Sequence, residues 1–102
     1  MAGENAAAVM VRAYSGVFFG YLVAKREVGE SMVVELERSR HVWNWQSNGL
    51  PRKALTIDDL AVVGAGDGTK ISATVAGVQT LADVKQILPC SAEAVKRFED
   101  LP

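Results

Sequence analysis

The sequence predicts a β-rich α+β domain: a small twisted antiparallel sheet or partly open barrel, of about five to seven strands, with a short middle helix and a C-terminal helix. Three observations carry this reading. Apolar and polar residues alternate with a period of two at 9–14, 31–37 and 71–75. Turn residues interrupt the runs at short intervals, and short connections favour antiparallel neighbours. Two other segments, Thr56–Val63 and Ser91–Glu99, carry helix-start chemistry instead.

Residues 1–8 read as a flexible N-terminus and 9–102 as a single domain. Val9, Val11 and Ala13 alternate with Met10, Arg12 and Tyr14, a strand that Ser15-Gly16 ends. Val17–Lys25 is short and rich in β-branched and aromatic residues, so a strand is expected, with Gly20 marking a bulge or a close backbone approach. Arg26–Glu30 suits a hairpin turn. Met32, Val34 and Leu36 then alternate with Val33, Glu35 and Glu37, a third strand with one wet face. A reversal at Arg38-Ser39 leads to a fourth, in which His41, Trp43 and Trp45 share one face and Val42 and Asn44 the other.

Gln46–Leu55 reads as loop, because Ser47-Asn48-Gly49 and Pro51 break regular structure. Thr56 is placed to cap the next helix and Asp59 to close a capping box; Gly64 ends that helix. Ile71, Ala73 and Val75 predict a fifth strand, with Val78–Leu81 pairing back across Gly77 and Val84–Pro89 as the last. Ser91 caps the C-terminal helix, with Ala94, Val95 and Phe98 on its inner side.

The chain has 102 residues, 49% of them hydrophobic and 23% charged, and a formal net charge of −1. Such a balance argues against a general nucleic-acid coat, which is strongly basic, and against a DNA mimic, which needs a dense acidic face. No apolar run approaches the roughly 18 residues of a membrane helix. The first residues carry no basic region, so no signal peptide is read there and the cytoplasm is the expected compartment. One cysteine and one histidine leave no internal disulfide and too few ligands for a structural zinc site. No cofactor is expected.

The segment from Arg38 to Lys53 stands out. It holds both tryptophans, the single histidine, four cations (Arg38, Arg40, Arg52 and Lys53) and no acid. Aromatic rings stack on flat ligands, and arginine supplies bidentate contacts to phosphate or cation–π contacts. Arg38, Arg40, His41, Trp43, Trp45 and Arg52 are therefore the candidate ligand- or partner-binding residues. Trp43, central in its strand, is expected to be the more buried tryptophan. A core tryptophan with solvated arginines would give the same pattern.

Other motifs carry less. Gly64, Gly66 and Gly68 alternate and lack the spacing of a phosphate loop. Cys90 precedes a helix and reads as a small hydrophobe rather than as half of a dyad with His41. Asp58-Asp59 belongs to the helix start.

Val11–Val17 (VRAYSGV), Gly20–Val23 (GYLV), Arg40–Trp45 (RHVWNW) and Ile87–Ser91 (ILPCS) occur in this order. Together they resemble a family of small, largely uncharacterised proteins of tailed bacteriophages and prophages, marked by R-x-Y-S, W-x-W and I-P-C-S segments. The resemblance spans residues 9–95 and implies a phage-encoded accessory protein of the host bacterial cytoplasm, without a particular activity. With no visible catalytic set, the expectation is a non-enzymatic binding protein acting on the host. It would inhibit a defence protein or sequester a small anionic, nucleotide-like signal. The alternative is a structural or assembly protein of the phage particle. A homo-oligomer is expected; a membrane or nucleic-acid partner is not.

Overall fold

The computed structural model describes residues 7–102. Along the chain come β1 (Ala8–Ala13), β2 (Gly16–Val28), β3 (Ser31–Asn44), α1 (Ile57–Val63), β4 (Lys70–Ile71), β5 (Val78–Leu81), β6 (Val84–Pro89) and α2 (Ala92–Asp100). The six strands form one antiparallel sheet in the order β4-β3-β2-β1-β6, with β5 also paired to β3. This is the β-rich sheet with two short helices that the alternation predicts.

Alternation in the central strands supplies two apolar layers. Met10, Phe19, Tyr21 and Val42 face Ile57, Leu60, Ala61 and Val63 around α1, and Phe98 of α2. Val9, Val11, Ala13, Phe18, Val34, Leu36, Leu81 and Val84 form the second layer. β1 feeds both layers, as a strand covered on each face does.

The second layer is enclosed because the sheet curls. β5 pairs with Val34–Glu37 of β3, and β6 pairs with Val9–Ala13 of β1, yet only Ala82-Asp83 separates β5 from β6. The corner is held at Asp83, a non-glycine residue with φ 52. Its carboxylate accepts from Ser31 Oγ at 2.8 Å and its carbonyl from the Tyr14 amide at 3.1 Å.

Both helices start as expected. Asp59 closes the capping box on Thr56, and Gly64 (φ 78) ends α1 with its amide on the Leu60 carbonyl at 2.9 Å. Ser91 Oγ accepts from the Ala94 amide at 3.0 Å and donates to the Val62 carbonyl at 2.6 Å, so one hydroxyl caps α2 and ties it to α1.

Several expectations change. There is no reversal at Arg38-Ser39: the predicted third and fourth strands are one 14-residue strand. Arg38 takes φ 49 as the register with β2 shifts between Phe19 and Tyr21. A bulge absorbs an extra residue and resets the alternation, which in sequence resembles a turn. Gly20 lies opposite, where a Cβ would stand 3.2 Å from the Ser39 Cα. The fifth strand shrinks to Lys70–Ile71; beyond it the Ser72 and Val75 amides reach the His41 and Ser39 carbonyls without forming a ladder. β5 pairs with β3 rather than back onto 71–75. Of the expected flexible N-terminus, residues 1–6 lie outside the described residues. Ala7 already accepts from the Leu22 amide at 2.9 Å, and Ala8 opens β1.

Candidate functional site

The structure does not gather the Arg38–Lys53 candidates into one site. Arg40 is buried at 4% exposure. Its Nε donates to the Ser72 carbonyl at 2.8 Å, Nη1 to the Phe98 and Leu101 carbonyls at 2.6 and 2.9 Å, and Nη2 to the Pro102 oxygen at 2.9 Å. The guanidinium thus satisfies the Phe98 carbonyl in the last turn of α2, the two oxygens that follow the helix and that of Ser72. Burial lowers its pKa from the ordinary arginine value. Arg40 is a structural clamp and not the anion-binding side chain that its sequence context suggested.

Arg38 borders the same pocket as Arg40, its guanidinium 3.8 Å from the Tyr21 ring centroid. Tyr21 donates a short hydrogen bond to Glu99. Burial first, then that carboxylate, pushes the Tyr21 pKa up to about 12. Phe19, Tyr21, Arg38, Arg40, Thr74 and Glu99 line a pocket of about 180 Å³. Glu37, expected on the wet face, has a buried Oε1 at 4.0 Å from Arg38 Nη2.

The aromatic row is real over two residues only. His41 stacks on Phe18, its cross-strand partner, at 4.6 Å, and Trp43 leans on His41 at 5.0 Å. Trp45 does not continue the row. β3 ends at Asn44 and its pairing with β4 shifts register between Val42 and Asn44, so the period of two is lost. Trp45 instead packs against the layer beneath the helices, and its Nε1 donates to the Ala54 carbonyl at 2.8 Å. The expected burial of the pair is reversed: Trp43 is 60% exposed.

Trp43, Asn44, Trp45, Ala54 and Leu55 line an open groove of about 390 Å³. Leu55 is the residue that the sequence reading missed. It precedes the helix cap Thr56, where a hydrophobic staple would lay it on Leu60. No staple forms: Leu60 is fully buried and Leu55 is 73% exposed. An apolar residue at a staple position is the signal that marks it. Arg52 stands two residues before Ala54 and pairs with Asp59. Lys53 adjoins Ala54, and Lys70 is the register partner of Asn44.

Cys90 and His41 do not form a dyad. Cys90 packs against the helix-side layer, whereas His41 stacks on Phe18 of the other. Burial pushes the Cys90 thiol up to about 12, so it stays protonated at neutral pH. Gly66 serves the loops rather than a phosphate: its amide donates to the Gln46 carbonyl at 2.7 Å, and Asn48 and Asp67 bridge beside it.

Fold and groove define a small β-rich α+β domain with an aromatic surface groove. The chain belongs to the DUF6948 family, a domain of unknown function whose family model matches residues 6–98. Comparison with curated proteins finds no match, and neither does comparison with solved structures. No helix among the described residues is long and apolar enough to cross a membrane.

Proposed function

We propose that the protein is a non-enzymatic binding protein whose working surface is the Trp43–Trp45–Leu55 groove. The observation that carries this reading is the exposure of Trp43 (60%) beside Leu55 (73%). Both line one depression whose other tryptophan is held by the core. Tryptophan dominates the energetics of protein interfaces, and contiguous exposed apolar surface marks interaction sites. Together with the likeness to tailed-phage proteins, the groove supports an accessory protein working in the host bacterial cytoplasm, where it binds and inhibits a component of host defence. The protein-binding branch is preferred over a nucleotide sponge. Arg40, one of the candidate anion-binding cations, is buried and occupied by backbone oxygens.

The test is a plating assay in bacterial strains that each carry one antiphage defence system. Wild-type protein should restore plaque formation in at least one strain. Trp43→Ala should lose that rescue at an unchanged melting temperature. No rescue in any strain, or full rescue by Trp43→Ala, overturns the reading. A large stable assembly of the purified protein by mass photometry supports the particle-assembly alternative instead.

A further inference from the structure

We infer that the pocket between β2, β3 and the end of α2 binds a small zwitterion of the free amino-acid class. It is a second site, sharing no residue with the tryptophan groove. The β3 bulge builds it. Phe19 and Arg40 are register partners, as are Tyr21 and Glu37, and cross-strand partners project from one face of the sheet. Glu37 and Arg40 are three residues apart and would lie on opposite faces of a regular strand. The register shift between them puts both on the helix-side face, with Phe19 and Tyr21. Arg38, held at φ 49 inside the bulge, turns its guanidinium over the Tyr21 ring. Bulges re-aim side chains in this way beside functional sites.

The face so assembled carries both signs of charge and unmet hydrogen-bonding groups. The four hydrogen bonds of buried Arg40 leave one Nη2 hydrogen without an acceptor among the described residues. The buried Glu37 Oε1 has no hydrogen-bond donor; Arg38 Nη2, at 4.0 Å, is in ion-pair range but too far to donate. Glu99 accepts from Tyr21 through Oε2 and has no hydrogen bond at Oε1 among the described residues. Thr74 adds a hydroxyl to the lining. A simple anion would meet the carboxylates of Glu37 and Glu99, and a simple cation the guanidiniums of Arg38 and Arg40. A molecule with an α-carboxylate and an ammonium matches both signs. Its carboxylate accepts from Arg38 and the spare Arg40 N–H, its ammonium donates to Glu99, and its side chain rests on Phe19 and Tyr21. At about 180 Å³ the pocket is smaller than the roughly 300 Å³ at which drug-sized ligands begin, and it fits one such small molecule.

Thermal unfolding of the full-length protein at neutral pH and low salt reads the pocket's occupancy, because a ligand of the folded state raises its melting temperature. The probes are the standard amino acids, added singly at millimolar concentration. Each one that binds is retested as its N-acetyl form, which lacks the ammonium, and as its amide, which lacks the carboxylate. Sodium acetate is the anion control. At least one free amino acid should raise the melting temperature by several degrees, and neither the blocked forms nor acetate should. Glu99→Gln removes one charge, and Arg38→Asn removes the other with a residue that tolerates left-handed backbone; each should abolish the shift. Thr74→Trp, at an exposed position, fills the pocket without altering either charge and should abolish it too, so the test survives a charge variant that fails to fold. Trp43→Ala should keep the shift. No shift with any amino acid overturns the inference. So does an equal shift with a blocked form, a shift with acetate alone, which makes this an anion site, or a shift that persists in folded Glu99→Gln and Thr74→Trp. Loss of the shift in Trp43→Ala moves the binding to the groove and overturns the pocket, while the groove stands as the working surface.

Discussion

Arg40 Nη1 lies 2.6 Å from the carbonyl oxygen of Phe98, so a side chain of β3 completes the end of a helix 58 residues away in sequence. Replacing Arg40 by methionine keeps the apolar stem but abandons four backbone oxygens, that of Phe98 buried and the others partly so. The expected loss is about 3–5 kcal/mol. Arg40→Lys should recover only part of it, because one ammonium cannot span the same oxygens. Urea unfolding measures both; a loss below about 1 kcal/mol for Arg40→Met would show that the clamp is incidental.

The two tryptophans should separate in the same assay. Trp45→Ala removes packing against the core and the hydrogen bond to Ala54, at an expected cost of about 3 kcal/mol. Trp43→Ala, at a largely exposed position, should stay within about 1 kcal/mol of wild type. The opposite ranking would contradict the placement of Trp45 beneath the loop.

Tyr21 predicts an alkaline limit to stability. Its folded pKa of about 12 lies above the unfolded value of about 10. The folded state therefore holds the phenolic proton more tightly. That contribution is complete below about pH 10 and is lost as pH rises toward 12. Tyr21→Phe should flatten this part of a stability–pH profile measured by thermal unfolding. An unchanged alkaline slope in the variant would assign it to another group, with Cys90 (also pushed up to about 12) the first to examine.

Gly66 should not tolerate alanine. A Cβ there would stand 2.3 Å from the Asn48 carbonyl oxygen and 2.6 Å from its amide nitrogen, both backbone atoms. The expected cost is about 1–3 kcal/mol, from forcing the two loops apart. Gly77→Asn is the comparison: φ is 83 but nothing lies within 4 Å, and asparagine tolerates left-handed backbone. Equal melting temperatures for the two variants would refute the close approach.

The sequence showed the parts of this fold that local rules govern. Thr56, Asp59 and Gly64 bound α1 through backbone groups a few residues away, and Ser91 begins α2 in the same way. The run at Val9–Ala13 also becomes β1, with both of its faces covered. Features set by distant partners were not legible. Arg38-Ser39 resembles a turn until β2 is laid beside it and the extra residue becomes a bulge. Arg40 resembles a surface cation until the end of α2 arrives from the far end of the chain. In sequence the aromatic row runs one residue further than in the structure, because alternation holds only while the ladder does and the ladder ends at Asn44. Leu55 was overlooked because a staple normally hides such a residue; its exposure is visible only once Leu60 is seen buried without it.

The closing corner at Ala82-Asp83 has a consequence for synthesis. Of the strands, β1 leaves the ribosome before the others, and β2, its partner on one edge, follows after two residues. The other edge of β1 waits for β6, whose Pro89 pairs with Val9, until about seventy further residues have emerged. At elongation rates of roughly 5–20 residues per second, that edge stays unpaired for several seconds in each nascent chain. Aggregation in this window would depend on how fast the ribosome reaches residues 84–89, so synonymous codon changes between β3 and β6 should alter soluble yield without altering the folded protein.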